Sequence, residues 1–229
     1  MPIVTIAHEK GGVSKSTTAC ELAVAFMRAG KRVVVVDTDP QQNAVKFALR
    51  REALSPELPA LRAVPIVGQS TGTQIRAFAR EADVVIVDAG GRDSLEMRLA
   101  LLTSHLVIMP TTQNAFDLDG LNRMAELIAQ VRLQNEVLPV WILPARVKPR
   151  KLSDTRQSIA EKLAQPINPQ MPGSEPISVV LPIVMRAHIT EREAFPLAAG
   201  WGRSVWEMRP RDARAASEVE SIYQEVING

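Results

Sequence analysis

Residues 3–7, Ile-Val-Thr-Ile-Ala, form a β-branched run that passes through His8 and Glu9 into Lys10-Gly11-Gly12-Val13-Ser14-Lys15-Ser16-Thr17 and on into an apolar helical stretch. A strand, a glycine turn and a helix in immediate succession leave few folds open. The turn has to set backbone N–H groups and a helix N-terminus at the carboxyl end of the strand, which is how a phosphate-binding loop is built. Backbone N–H groups along this loop would cradle a polyphosphate, Lys15 would meet its charge and the Ser16 hydroxyl would bind Mg²⁺. The usual spacing Gly-x-x-x-x-Gly-Lys-[Ser/Thr] is not met, because Glu9 and Ser14 stand at its glycine positions. If position 14 needs positive φ, serine there costs about 1 kcal/mol.

Beyond the loop, strand-like and helix-like stretches alternate. A helix from Ser16 to about Ala29 ends at Gly30; 31–37 and 83–88 read as strands apolar enough to be buried on both faces, and 105–110 as another. Helices are predicted near 41–52, 72–81, 117–134 and 212–227, a weak strand at 62–67 and a further strand at 137–143. The 117–134 helix shows an apolar face at Leu118, Leu121, Met124, Leu127, Ile128 and Val131, with Asp117 or Asp119 as its cap. Pro166, Pro169, Pro172, Pro176 and Pro182 mark a loop-rich stretch. Repeated βα units predict an α/β fold of three layers, a mostly parallel sheet with helices on both faces, in one domain spanning 1–229. Ligands in such folds gather at the carboxyl ends of the strands. There the sequence puts Asp37-Thr38-Asp39-Pro40-Gln41 and Asp88-Ala89-Gly90-Gly91, although an aspartate ending a strand is also an ordinary turn former or cap.

The pattern Lys10-Gly11-Gly12-x-x-Lys15-Ser16, followed by Asp37-x-Asp39-Pro40-Gln41 and an apolar strand ending in Asp88, resembles the deviant Walker A ATPases of the ParA/MinD family, in the small plasmid-partition form. The resemblance is strongest over 1–120 and departs at Ser14 and at Ala89-Gly90-Gly91, where many members carry a proline-containing switch. It implies a P-loop NTPase fold, with ATP and Mg²⁺ as cofactors. Lys15 would pair with the β- and γ-phosphates and Thr17 with the α-phosphate; Ser16, Asp37 and Asp88 would hold Mg²⁺, the aspartates through its waters. Asp39 would orient the attacking water. Lys10 would cross to a partner's phosphates in an ATP-bound homodimer. For the adenine, Pro110-Thr111-Thr112 and the loop at 181–186 are candidates. His8 reads as a packing or hydrogen-bonding residue, and neither His105 nor His188 has partners at metal spacing.

The net charge of +2 does not by itself imply a nucleic-acid partner. The basic residues cluster, however: Arg146, Lys148, Arg150 and Lys151 in one group, Arg203, Arg209, Arg211 and Arg214 in another. The resemblance implies non-specific DNA binding through such residues once a dimer doubles the patch; a solvated basic surface is the other reading. The last helix is acidic on its polar face, which speaks against the membrane-targeting helix of MinD-like proteins. No run is long and apolar enough to span a bilayer, no signal peptide precedes the first strand, and Cys20 alone cannot build a disulfide framework and reads as core. A cytoplasmic, nucleoid-associated protein is expected, without an N-terminal helix-turn-helix domain and with a ParB-like or cargo-adaptor partner that stimulates slow hydrolysis. The alternatives are a metabolic ATP-dependent ligase of the dethiobiotin-synthetase type and a MinD-like positioning ATPase.

Overall fold

The computed structural model describes residues 2–112, 118–163 and 182–229. Asp117, Leu181 and the prolines at 166, 169, 172 and 176 lie outside them, as do the side chains of Leu118, Asp119 and Leu121.

Among the described residues seven strands form one sheet: β1 (Ile3–Ile6), β2 (Val33–Asp37), β3 (Arg62–Pro65), β4 (Val84–Asp88), β5 (Leu106–Thr111), β6 (Val140–Pro144) and β7 (Ile183–Val184). Their order is β3-β2-β4-β1-β5-β6-β7 and every described pairing is parallel. The described residues also form eight α-helices: α1 (Lys15–Arg28), α2 (Asn43–Leu54), α3 (Thr71–Glu81), α4 (Leu95–Thr103), α5 (Leu118–Arg132), α6 (Leu152–Leu163), and, after the last strand, α7 (Ala194–Gly200) and α8 (Ala213–Asn228). The α/β sandwich expected from the sequence is the one observed.

The period-2 geometry of the strands sorts their apolar runs onto two faces. Val33, Val35, Val84, Ile86, Leu106 and Ile108 pack with α1, α2 and α8. Val34, Val36, Val85 and Val87 turn the other way, toward Ile75 of α3 and Ala100 of α4, while Val107 and Met109 meet Met124, Leu127, Ile128 and Val131 of α5. Cys20 is buried on α1, as expected.

Local chemistry fixes the helix ends. Gly30 adopts φ +77 after α1, and the Lys31 N–H returns to the Phe26 carbonyl, closing the helix. Ser94 Oγ accepts from Met97 N at the start of α4, and Asp212 accepts from Arg214 N and Ala215 N at the start of α8. Helices α4, α6 and α7 and strand β7 were not legible from periodicity. In α4, Leu-Glu-Met-Arg-Leu-Ala-Leu-Leu-Thr is apolar on too many sides to show a face, and α7 carries Pro196 in its first turn, where it is tolerated.

Candidate functional site

The loop after β1 bends sharply: Gly12 sits at φ +74 and Ser14 at φ +73. Position 14 therefore does need the left-handed conformation, and serine bears that cost directly. Its carbonyl accepts both the N–H and the hydroxyl of Thr18, which anchors the first turn of α1. His8 is buried and its Nδ1 accepts the Lys10 N–H at 3.0 Å, so it shapes the loop. Lys15 is 7% exposed, and its Nζ donates to the Lys10 carbonyl at 2.8 Å. Burial lowers its pKa, against the opposing pull of Asp88 and Asp39.

Parallel pairing brings Asp37 and Asp88 level at the ends of β2 and β4, and Ile6 of β1 level with Asp88. The two acids differ in their commitments. Asp37 Oδ1 accepts from Asp39 N, and Oδ2 accepts from Ala44 N at 2.9 Å and Val45 N at 3.1 Å. It thus caps α2, whose preceding residue Gln42 lies at φ +51 and supplies no side-chain cap. Asp88 is fully buried and neither carboxylate oxygen completes a hydrogen bond. Burial, with Asp37 and Asp39 adding, pushes its pKa up to about 7, while the nearby Ser16 hydroxyl and Lys15 oppose the rise. A buried carboxylate with no partner, beside a lysine and a serine hydroxyl, is what a hydrated Mg²⁺ would satisfy. Asp39 is half-buried; Oδ1 holds the Gln41 N–H, and Oδ2 has no partner among the described residues.

The switch loop closes over the same place. A Cβ on Gly91 would lie 3.3 Å from Lys15 Nζ, and one on Gly90 3.6 Å from the Asp39 Cα. Outward, a cleft of about 600 Å³ is lined by Gly11, Gly12, Ser14–Thr17, Asp39, Arg146 and residues 189–193, 195 and 196. Val13 is buried beneath the loop. Of the adenine candidates, neither 110–112 nor 182–186 lines this cleft. Pro110 and Thr111 belong to β5, and Thr111 is buried with its hydroxyl on the Met109 carbonyl. Residues 189–196, missed in the sequence, form the far wall; Arg192-x-x-Phe195 was the available signal.

The basic clusters divide. Arg146 leaves the first group for the cleft, donating to the Gly12 carbonyl and to Glu191, whereas Lys148, Arg150 and Lys151 stay exposed. Arg203 leaves the second, drawn onto Ser55 Oγ and Glu57, while Arg209, Arg211 and Arg214 remain exposed. The last helix is less openly acidic than expected. Glu218 is buried against Thr190 and Arg192, and Glu225 accepts the Arg186 and Ala187 N–H groups. Among the described residues no group of three or more His, Cys, Asp or Glu side chains is placed to hold a metal ion, and no helix is long and apolar enough to cross a membrane.

Residues 4–193 match the family model of the CobQ/CobB/MinD/ParA nucleotide-binding domain. The chain belongs to that family. Among relatives of this nucleotide-binding domain, protein IncC of Escherichia coli is 26% identical over 99% of this chain and 69% of its own length. A second IncC sequence is covered over 66% of its length. ParA of Rhizobium radiobacter is 25% identical over 96% of this chain and 92% of its own. Apo McdA from Cyanothece shares the fold with a TM-score of 0.73 at 17% identity over 99% of both chains. A plasmid partition protein from Borrelia burgdorferi B31, solved with AMPPNP, does so at 0.66 and 19% over 99% of this chain and 98% of its own.

Proposed function

We propose that this chain is a ParA-type partition ATPase. It binds ATP with Mg²⁺, dimerises on it, binds DNA without sequence preference in that state, and hydrolyses ATP slowly under stimulation by a ParB-like or cargo-adaptor protein. Its work is to segregate plasmid or chromosomal DNA, or to position a protein cargo over the nucleoid, in the cytoplasm. The observation that carries this reading is the unpartnered buried Asp88, beside Lys15, Ser16 and Asp39, which themselves line the cleft after the phosphate loop. The names of the relatives, IncC and ParA, support it.

Ser16 would hold Mg²⁺ directly, with Asp37 and Asp88 holding its bound waters. The ion's contribution is to neutralise charge on the phosphates. Gly11–Thr17 receive the phosphates on backbone N–H groups, and Lys15 exchanges its bond to the Lys10 carbonyl for phosphate oxygens. Lys10, on the same loop, would reach across the dimer to the partner's phosphates. Asp39, with one oxygen held by Gln41 and the other open, orients the attacking water.

The direct test compares binding of the full chain to random-sequence duplex DNA with ATP, ADP and no nucleotide at fixed salt. ATP-only binding is the expected result. No binding in any state would favour the metabolic reading, an ATP-dependent ligase. Asp39→Ala should leave a dimer that retains ATP; an unchanged turnover number would assign the water to another residue.

A further inference from the structure

At the end of α1 remote from the phosphate loop, Arg28 and Arg211 both lay their guanidinium groups on the Trp206 indole, 4.0 and 4.7 Å from the ring centroid. The indole packs against the main core and its Nε1 is buried, so the ring is a fixed platform. A guanidinium stacked by its face keeps its N–H edge available, and that planar fork is the part that matches a phosphate. Both arginines are exposed, as are Arg209 and Arg214 on the same C-terminal segment.

The acids of this region are turned away from these charges. Glu207 is spent on a bidentate pair with buried Arg51, and Asp212 accepts the Arg214 and Ala215 N–H groups at the start of α8. Eight described arginines elsewhere pair with a carboxylate. Among the described residues, Arg28, Arg209, Arg211 and Arg214 pair with none. Like charges crowded on one ring without a counter-charge repel each other, and a polyanion relieves that repulsion. The patch is also joined to the nucleotide site. Helix α1 begins at Lys15 and ends at Arg28, and midway Glu21 accepts the Ser204 hydroxyl at 2.5 Å and the Val205 N–H at 3.1 Å. Those bonds fix the segment that carries Trp206 onto the helix that opens at the phosphate loop.

We propose that Arg28 and Arg211, stacked on Trp206, form a guanidinium clamp for the phosphate backbone of duplex DNA. The inference rests on the DNA-binding reading above and extends it to Arg28 and Trp206, which lie outside the basic clusters visible in the sequence. The test measures affinity for fluorescein-labelled random duplex DNA by anisotropy, with ATP and Mg²⁺, over a salt series. It uses the full chain and its Arg28→Ala, Arg28→Lys, Arg211→Ala and Arg80→Ala variants, the last removing an exposed arginine on α3. Loss of one phosphate contact should weaken binding roughly tenfold near 0.1 M salt and lower the salt slope by about 1. Arg28→Ala and Arg211→Ala should each do so, with ATP binding unchanged. Arg28→Lys should keep the slope but lose part of the affinity, and Arg80→Ala should match the parent. If the parent binds DNA on ATP and the Arg28 and Arg211 variants bind equally well, the clamp is wrong and the partition reading stands. An equal loss in Arg80→Ala would make the effect one of overall charge and also overturn the clamp. A parent that binds no DNA in any nucleotide state removes both. Binding to vesicles of phosphatidylglycerol and phosphatidylcholine, lost in Arg28→Ala where DNA binding is not, would assign the clamp to a membrane instead.

Discussion

Ser14 shows how a single position can be read for its chemistry but not for its geometry. With φ at +73 it adopts a conformation that only glycine occupies without cost, and no side-chain cap repays it. Ser14→Gly should therefore raise the stability of the nucleotide-free protein by about 1 kcal/mol, seen as a Tm higher by roughly 2–4 °C. The two loop lysines should separate in function. Lys15 is buried at the centre of the site, so Lys15→Ala should abolish nucleotide binding in calorimetry. Lys10→Ala should keep binding but lose ATP-dependent dimerisation in light scattering, and equal loss in both variants would remove the role across the dimer. The aspartates teach the same lesson: two similar strand-ending acids have different work, Asp37 as the cap of α2 and Asp88 as an orphaned carboxylate.

At the scale of elements, α2 is tied to the C-terminal segment by a buried ion pair. Arg51 is 2% exposed and forks onto Glu207 at 2.7 Å through both terminal nitrogens, with further bonds to the Pro59 and Gly202 carbonyls. Gly202 makes the approach possible: at φ +64, a Cβ there would overlap the Arg51 backbone. Removing one partner of such a pair strands a buried charge. Glu207→Ala should accordingly cost about 3 to 5 kcal/mol in urea unfolding, whereas replacing both residues with apolar ones of similar size should recover most of it. None of this was visible in the sequence, where Arg51 is one arginine among many on an ordinary helix and its partner lies far along the chain. Strands β1, β2, β4 and β5 were legible because double burial writes a continuous apolar run. Helices α6 and α7 were not, because their placement depends on β7 and α2, contacts that no local period records.

For the whole molecule, α1 links the loop after β1 to the C-terminal segment. Glu21 is fully buried midway along it, and burial pushes its pKa up to about 7, with the Ser204 hydroxyl and Val205 N–H opposing and Glu207 adding. A carboxyl whose folded pKa exceeds its unfolded value favours the fold while protonated. Its contribution is present below about 4.5 and is lost as pH rises through about 7. The nucleotide-free protein should thus lose stability between pH 5 and pH 8. Glu21→Gln should remove a part of that slope on the order of 3 kcal/mol, read from Tm against pH without Mg²⁺ or nucleotide. Asp88 acts in the same sense, so the slope should shrink in Glu21→Gln without vanishing.

The sequence alone determined the βαβ architecture, the phosphate loop and the identity of the acids at the strand ends, because each is a local pattern: a period, a turn chemistry, a spacing within one element. Only the tertiary structure decided which of those acids is left without a partner. It also decided which arginines face the cleft, which are neutralised and which stack on Trp206, and that residues 189–193, 195 and 196 wall the cleft beside the phosphate loop. Those outcomes depend on where strands distant in the chain lie in the sheet and on which distant charges meet, and long-range pairing leaves no periodic trace in the residues that take part.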